Sequence, residues 1–266
     1  MKLLIYFLLP IIIFGSNIYN ENLVKDCLLI AENTYCEINK INNESFVEKV
    51  LEINFDKAIL GYNNKYNAIF VAFRGSSNIQ DWISNFHFSK IYPYEKYENV
   101  GVEKGFYSIY KTFDSAIFLN IVYLSIKYNT QNIILTGHSL GAALSTLLAF
   151  DILKDDVYEG YNIYSLITFG SPRVGNKEFV NSINNINSFR ITHYYDIVPH
   201  LPQELLKYRH IYQEVWYNED NTDYKICDDK DFEDNTCSNS CAHTKCTSTS
   251  DHLNYLNITM GKKGDC

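Results

Sequence analysis

Gly137, His138, Ser139, Leu140 and Gly141 form a G-x-S-x-G pentapeptide. Ahead of it the apolar run 132–136 reads as a short buried strand, and behind it the Ala- and Leu-rich run 142–150 reads as a buried helix. A serine at such a junction occupies a sharp strand-to-helix turn, a nucleophile elbow, which lifts its hydroxyl clear of the sheet. Glycines flank it because the two backbones approach closely there. The chemistry such an elbow serves is attack of a hydroxyl on a carbonyl carbon. A lone serine is a weak nucleophile, so an imidazole base and a carboxylate to orient it are required.

Behind such an elbow the acid comes next in the chain and the histidine last. The histidines downstream of Ser139 are His193, His200, His210, His243 and His252. His193 falls inside a strand ahead of the best acid, His200 lies just after it, and His243 sits among closely spaced cysteines. That leaves His210 and His252. His252 is preferred because it stands at a loop-to-helix junction, where loops converge on strand ends. Asp196 is the expected acid, since it closes an apolar strand at the edge where sheets of this class carry their sites. The cluster Asp228, Asp229, Asp231 and Asp234 reads as a solvated loop. Charge developing on a carbonyl oxygen needs N–H donors: Leu140, directly after the nucleophile, supplies one. Ser76, just past Arg74-Gly75 at the end of an early strand, offers a backbone N–H and a hydroxyl as the second.

Positioning these groups requires a sheet. Leu23, Cys27, Ile30, Ala31 and Tyr35 recur at helical spacing, predicting a helix over 23–35. Residues 50–61 and 65–73, rich in Val, Ile, Phe and Tyr, predict a hairpin turning at Tyr62-Asn63-Asn64. Ile79, Trp82, Ile83 and Phe86 fall on one face of a short helix. The longest helical pattern covers 105–129, and further strands are expected at 164–169, 189–195 and 211–217. Residues 218–250 are polar, cysteine-rich and without period, and Asp251-His252 opens a short last segment. Strands alternating with helices, and a serine at a strand end, give an α/β class with a mixed, centrally parallel sheet.

The chain has 266 residues and a formal net charge of -8, which argues against nucleic acid as a partner. Met1-Lys2 and the apolar run 3–14 match a signal peptide cleaved within 15–20, because a transmembrane span needs ~20 apolar residues. Residues 21–266 then form a single domain, with nothing resembling a linker. Seven cysteines, all beyond the leader, fit an oxidising compartment and hence secretion. One must stay unpaired within the chain, and Cys36 is the candidate. The late cysteines are spaced C-x3-C and C-x4-C, a weak zinc pattern, so no metal is expected. Asn43-Glu44-Ser45 and Asn257-Ile258-Thr259 are N-glycan acceptor sequences in a eukaryotic source.

Five blocks stand in one order: Phe73-Arg74-Gly75-Ser76-Ser77 with Asp81-Trp82; the pentapeptide; Thr168-Phe169-Gly170-Ser171-Pro172-Arg173-Val174-Gly175-Asn176; Asp196-Ile197-Val198-Pro199-His200-Leu201-Pro202; and Asp251-His252 with Tyr255. In this set the chain resembles the secreted class 3 lipases of filamentous fungi over nearly all of its length beyond the leader. The resemblance implies an α/β-hydrolase fold and a triacylglycerol lipase without cofactor, working through an acyl-enzyme. Ser139 is then the nucleophile, Asp196 the orienting acid, His252 the base, and Ser76 and Leu140 the oxyanion donors. It implies that the helix carrying Ile79, Trp82, Ile83 and Phe86 is a lid over an apolar groove. It further implies disulfides joining Cys27 with Cys266 and Cys227 with Cys237; Cys241 with Cys246 are then left to pair locally. The expected partner is a lipid ester at an oil–water or membrane surface, met by a monomer without a transmembrane span. One departure is Glu103, which precedes Lys104-Gly105-Phe106 where family members often carry histidine. An esterase or phospholipase A-type hydrolase of the same fold, and a catalytically silent lipid-binding protein, are the competing functions; the intact serine, aspartate and histidine set argues against the second.

Overall fold

Eight strands form one sheet and lie in it in chain order: β1 (Ser45–Ile53), β2 (Asp56–Asn63), β3 (Ala68–Phe73), β4 (Asn132–His138), β5 (Asn162–Phe169), β6 (Ser188–His193), β7 (Glu214–Tyr217) and β8 (Tyr224–Ile226). The computed structural model describes residues 18–36, 41–85, 88–228, 233–241 and 245–261; the expected leader up to residue 17, Phe86 and Cys266 lie outside them. β3 to β7 run parallel, while β1 and β2 at one edge and β8 at the other are antiparallel. The mixed, centrally parallel sheet expected from the sequence is therefore present.

Strand period explains why this sheet is covered on both faces. Along β3, Ile69, Val71 and Phe73 enter one core while Ala68, Phe70 and Ala72 enter the other; in β4, Ile133 and Leu135 oppose Ile134. Among the described residues the α-helices are α1 (Glu21–Asn33), α2 (Ile79–Asn85), α3 (Lys104–Tyr128), α4 (Leu140–Lys154), α5 (Lys177–Ile183) and α6 (Thr249–His252). Phe106, Phe113 and Ile117 of α3 and Leu144 and Leu147 of α4 complete the first core, and Leu23, Val24 and Leu28 of α1 complete the second. Each of these fully buried side chains contributes about 1.5 to 3 kcal/mol by leaving water. Caps fix where the helices start and stop. Asn20 Oδ1 accepts the N–H groups of Asn22 and Leu23 at 3.0 and 3.2 Å. α3 ends at Asn129 in the left-handed region (φ 50°), which asparagine tolerates.

Two expectations need correction. The predicted strand 50–61 is in fact two strands, because the chain turns back at Asn54-Phe55, both at positive φ (50° and 72°), between the paired residues Ile53 and Asp56. A two-residue hairpin loop demands that geometry, and phenylalanine gives no sequence signal for it. The second correction is at the cysteines. Cys227 is joined to Cys237 and Cys241 to Cys246, but Cys27 carries a free thiol and Cys36 is disulfide-bonded. Cys27 lies on the inner face of α1, fully buried over β4, where Thr136 Oγ1 donates to its carbonyl. The free thiol of Cys27 overturns the expected bridge to Cys266, and Cys36, expected to stay unpaired, is bonded instead.

Candidate active site

β4 runs into α4 through Ser139, whose backbone sits at φ 59°, ψ -127°. Such a conformation costs a non-glycine residue about 1 to 3 kcal/mol and persists only where its surroundings enforce it. Here the Ser139 N–H donates to the Phe169 carbonyl of β5 at 2.9 Å. A Cβ on Gly141 would lie 2.0 Å from the Phe73 carbonyl oxygen, and one on Gly137 would lie 2.5 Å from the Gly141 carbonyl carbon. Both glycines are therefore required for helix and strands to close around the serine.

Asp196 follows β6 and pairs with Ser248 in a short parallel bridge, which brings the start of α6 beside it. Ser248 Oγ caps α6 by accepting the Asp251 N–H at 3.0 Å. His252, at the end of this single turn, is fully buried and sets Nδ1 3.0 and 2.9 Å from the two carboxylate oxygens of Asp196. Asp196 Oδ1 also accepts the Val198 N–H at 2.8 Å, and Oδ2 accepts the Tyr255 hydroxyl. Burial alone pushes the Asp196 carboxyl up, but the nearby His252 and the hydrogen bonds from His252, Tyr255 and Val198 outweigh it and hold its pKa below the ordinary value. An ionised carboxylate only accepts, so Nδ1 of His252 carries the proton and Nε2 presents a lone pair. His252 Nε2 and Ser139 Oγ are both buried and have no hydrogen-bond partner among the described residues.

The competing histidine is committed elsewhere. His210 Nε2 faces the Pro199 carbonyl at 2.7 Å, and burial, then Arg190 and Arg173, hold its pKa well below the usual histidine value. His193 is held between the carbonyls of Asp251 and Glu219. Two residues near the site were not assigned a part from the sequence: Tyr255, through its hydroxyl on Asp196, and His138, whose ring lies 4.5 Å from that of His252. The signal for both was position alone, since they stand inside the blocks that carry the resemblance.

Gly75 sits against the elbow, where an added Cβ would come within 3.1 Å of Ser139 Cβ. The next residue, Ser76, is half-buried and its hydroxyl donates to the Asn78 carbonyl at 3.2 Å, at the foot of α2. The same oxygen faces the Asn78 N–H at 3.3 Å, and Leu140, the other expected oxyanion donor, stands at the amino end of α4. Ile79 is buried, Trp82 and Ile83 are half-buried, and the Trp82 ring stacks over Phe106 at 6.2 Å. Glu103 is buried as the N-cap of α3, accepting the Phe106 N–H at 2.8 Å and the Ser89 N–H at 3.3 Å. Two groupings with metal-ligand geometry, His200 with Cys241 and Cys246, and Glu214 with Cys227 and Cys237, use sulfurs already joined in disulfides.

The profile of the family described as lipase (class 3) matches residues 70–206, a span from β3 past Asp196. The chain belongs to the class 3 lipase family. With it come the α/β-hydrolase fold and a place among class 3 lipases of known sequence and structure. The lipase of Rhizomucor miehei is 31% identical over 208 residues, 77% of this chain and 56% of the relative. A secreted mono- and diacylglycerol lipase of Fusarium solani is 33% identical over 180 residues, 64% of this chain and 52% of the relative. This class 3 lipase family member thus spans about half the length of the curated relatives it matches. Among solved structures, the native Rhizomucor miehei lipase propeptide complex superposes with a TM-score of 0.80 at 27% identity, over 91% of this chain and 82% of that one. Another, described as a triacylglycerol lipase whose catalytic centre is a serine protease triad, gives 0.78 at 28% identity, over 91% and 96% of the two chains.

Proposed function

We propose that this protein is a secreted lipase that hydrolyses the carboxylic ester bonds of acylglycerols through Ser139, His252 and Asp196. The observation that carries the reading is the pair of unspent buried atoms, Ser139 Oγ and His252 Nε2, with His252 held from behind by a fully hydrogen-bonded Asp196. As Ser139 Oγ bonds to the ester carbon, its proton passes to Nε2, and Asp196 stabilises the imidazolium without itself taking the proton. The carbonyl oxygen, now an alkoxide, accepts from the backbone N–H groups of Leu140 and Ser76. The imidazolium returns its proton to the departing alcohol, leaving an acyl group on Ser139. Water, deprotonated by His252, then releases the fatty acid and restores the serine.

Secretion is supported by the apolar leader, by α1 starting at Glu21 directly after the expected cleavage region, and by relatives described as secreted. α2, with its apolar side turned inward over Phe106, serves as the lid in this reading. The test is hydrolysis of an emulsified triglyceride by the purified protein, compared with Ser139→Ala. The wild type is expected to release fatty acid, and the variant to lose at least about a thousandfold in rate. Equal rates in the two would dispose of the serine mechanism.

A further inference from the structure

We propose that Tyr35 and His138 form a positioning bridge that holds the backbone of His252, and with it the imidazole, in register with Ser139. The inference rests on the ester-hydrolase reading above and assigns a task to two residues that reading does not use. His138 is buried, with Nε2 2.8 Å from the backbone carbonyl of His252 and Nδ1 2.8 Å from the Tyr35 hydroxyl. A carbonyl oxygen can only accept, so Nε2 carries the hydrogen and donates it. Nδ1 is then a lone pair, and the Tyr35 O–H donates to it. Tyr35 thereby selects the one neutral tautomer that can grip His252.

The arrangement answers a mechanical need. α6 is a single turn with one capping serine, too short to hold a side chain firmly by itself. Its last residue must hold a ring to within about half an ångström of its productive position relative to a serine that belongs to a different element. His138 is covalently bonded to Ser139, so the strand end that sets the nucleophile also grasps the carbonyl of the base. The His138 and His252 rings lie 4.5 Å apart and tilted by 33°, which limits rotation of the base as well. Burial, and then the neighbouring His252, press the His138 pKa down to about 3. His138 therefore stays neutral and adds no charge against the imidazolium that forms beside it. Tyr35 extends the bridge to the oxyanion loop: a Cβ on Gly75 would lie 2.3 Å from its hydroxyl and 2.7 Å from the His138 carbonyl. Tyr35 is in turn anchored next to the disulfide-bonded Cys36.

The experiment compares wild type, His138→Phe, His138→Gln and Tyr35→Phe on a soluble aryl ester, so that adsorption to lipid plays no part. It reads kcat and KM separately across pH, the melting temperature, and the downfield proton resonance of the hydrogen on His252 Nδ1. His138→Phe is expected to lower kcat about a hundredfold with KM little changed, the scale of a misplaced reacting group. It should also broaden or shift the Nδ1 resonance. His138→Gln should recover most of the loss, because its amide both donates to the His252 carbonyl and accepts from Tyr35. Tyr35→Phe should lower kcat about tenfold, since the tautomer is no longer fixed. Should His138→Phe fail to fold, the other two variants decide. A Tyr35→Phe protein that melts like wild type and keeps its kcat, pH profile and Nδ1 resonance would overturn the bridge, and so would a His138→Gln protein no better than an inactive one. A wild type that cleaves no ester would instead remove the hydrolase reading, and the Nδ1 resonance would still judge the positioning.

Discussion

Asp196 has almost no contact with solvent, yet it stays ionised because every lone pair that matters is used. His252 Nδ1, the Val198 N–H and the Tyr255 hydroxyl all donate to it. Burying a carboxylate without such donors raises its pKa and leaves it protonated, so that it no longer orients an imidazole. Because the folded-state pKa of Asp196 is depressed, its contribution to stability is fully present above the unfolded value and is lost as pH falls through the folded one. Tyr255→Phe removes one charge-assisted bond, worth about 1.5 to 3 kcal/mol, and moves the folded pKa of Asp196 upward. The expected result is a roughly tenfold loss of kcat/KM near neutrality and an acid limb displaced to higher pH. A pH–rate profile on a soluble ester checks this; a limb that does not move would mean that His252 and Val198 suffice.

At the scale of the element, α4 shows how legibility depends on what a segment must satisfy. Its first turns are buried on all sides, and the Ala- and Leu-rich run 142–150 announces this in the sequence. One acid is included: Asp151 accepts the Tyr110 hydroxyl at 2.7 Å across the α3–α4 contact, and burial pushes its pKa up to about 6. A carboxyl raised in the folded state binds its proton more tightly there than in the unfolded chain, so stability falls as pH climbs from about 4 to 6. By neutral pH that ionisation costs about 3 kcal/mol. Asp151→Asn keeps an acceptor for Tyr110 and is expected to gain about 1 to 3 kcal/mol at pH 8 and to flatten the pH dependence. Denaturant titrations at pH 4.5 and 8 read it directly. The central strands were legible for the same reason as α4, since long apolar runs have few other places to go. β8 was not: Tyr224, Lys225 and Ile226 are largely exposed and carry no alternation, so only pairing with β7 makes them a strand. α5, seven residues long, gave too few turns for a period. Cys27 is instructive, because helical spacing with Leu23, Ile30 and Ala31 already placed it on the buried face. The pairing taken over from the family contradicted that spacing, and the spacing was right. Within the site, the elbow and the order of acid and histidine could be read along the chain. His252 is preferred to His210 on chain position and resemblance, whereas the tertiary partner of each ring is something no local pattern encodes.

For the whole molecule, the proposed activity raises the question of how an acidic protein would meet a lipid surface. No described helix is long and apolar enough to cross a membrane, and with a net charge of -8 general attraction to anionic lipid is not available. What remains is apolar area near the site. Trp82 of α2 stacks on Phe106 of α3, while Leu205 (86% exposed) and Tyr92 (63% exposed) stand in water on two other surface segments. Those segments are joined, since Lys90 Nζ donates to the carbonyls of Leu206 and Lys207 at 2.8 and 3.0 Å. If α2 swings away when oil replaces water, Trp82 passes from one apolar surround to another, and the exposed Leu205 and Tyr92 add apolar area that lipid can cover. Hydrolysis is then expected to rise steeply once an ester exceeds its solubility. Trp82→Ser forgoes about 2 to 3 kcal/mol of apolar contact with the lipid and should weaken adsorption to an emulsion by about ten- to a hundredfold. The same variant should keep its rate on a dissolved short-chain ester, because Ser139, Asp196 and His252 are untouched. Since the contact is apolar, added salt should leave adsorption intact, in contrast to binding through lysines. A wild-type rate that climbs smoothly through the solubility limit, together with unchanged adsorption of Trp82→Ser, would leave α2 as an ordinary packed helix and place the lipid contact on another face.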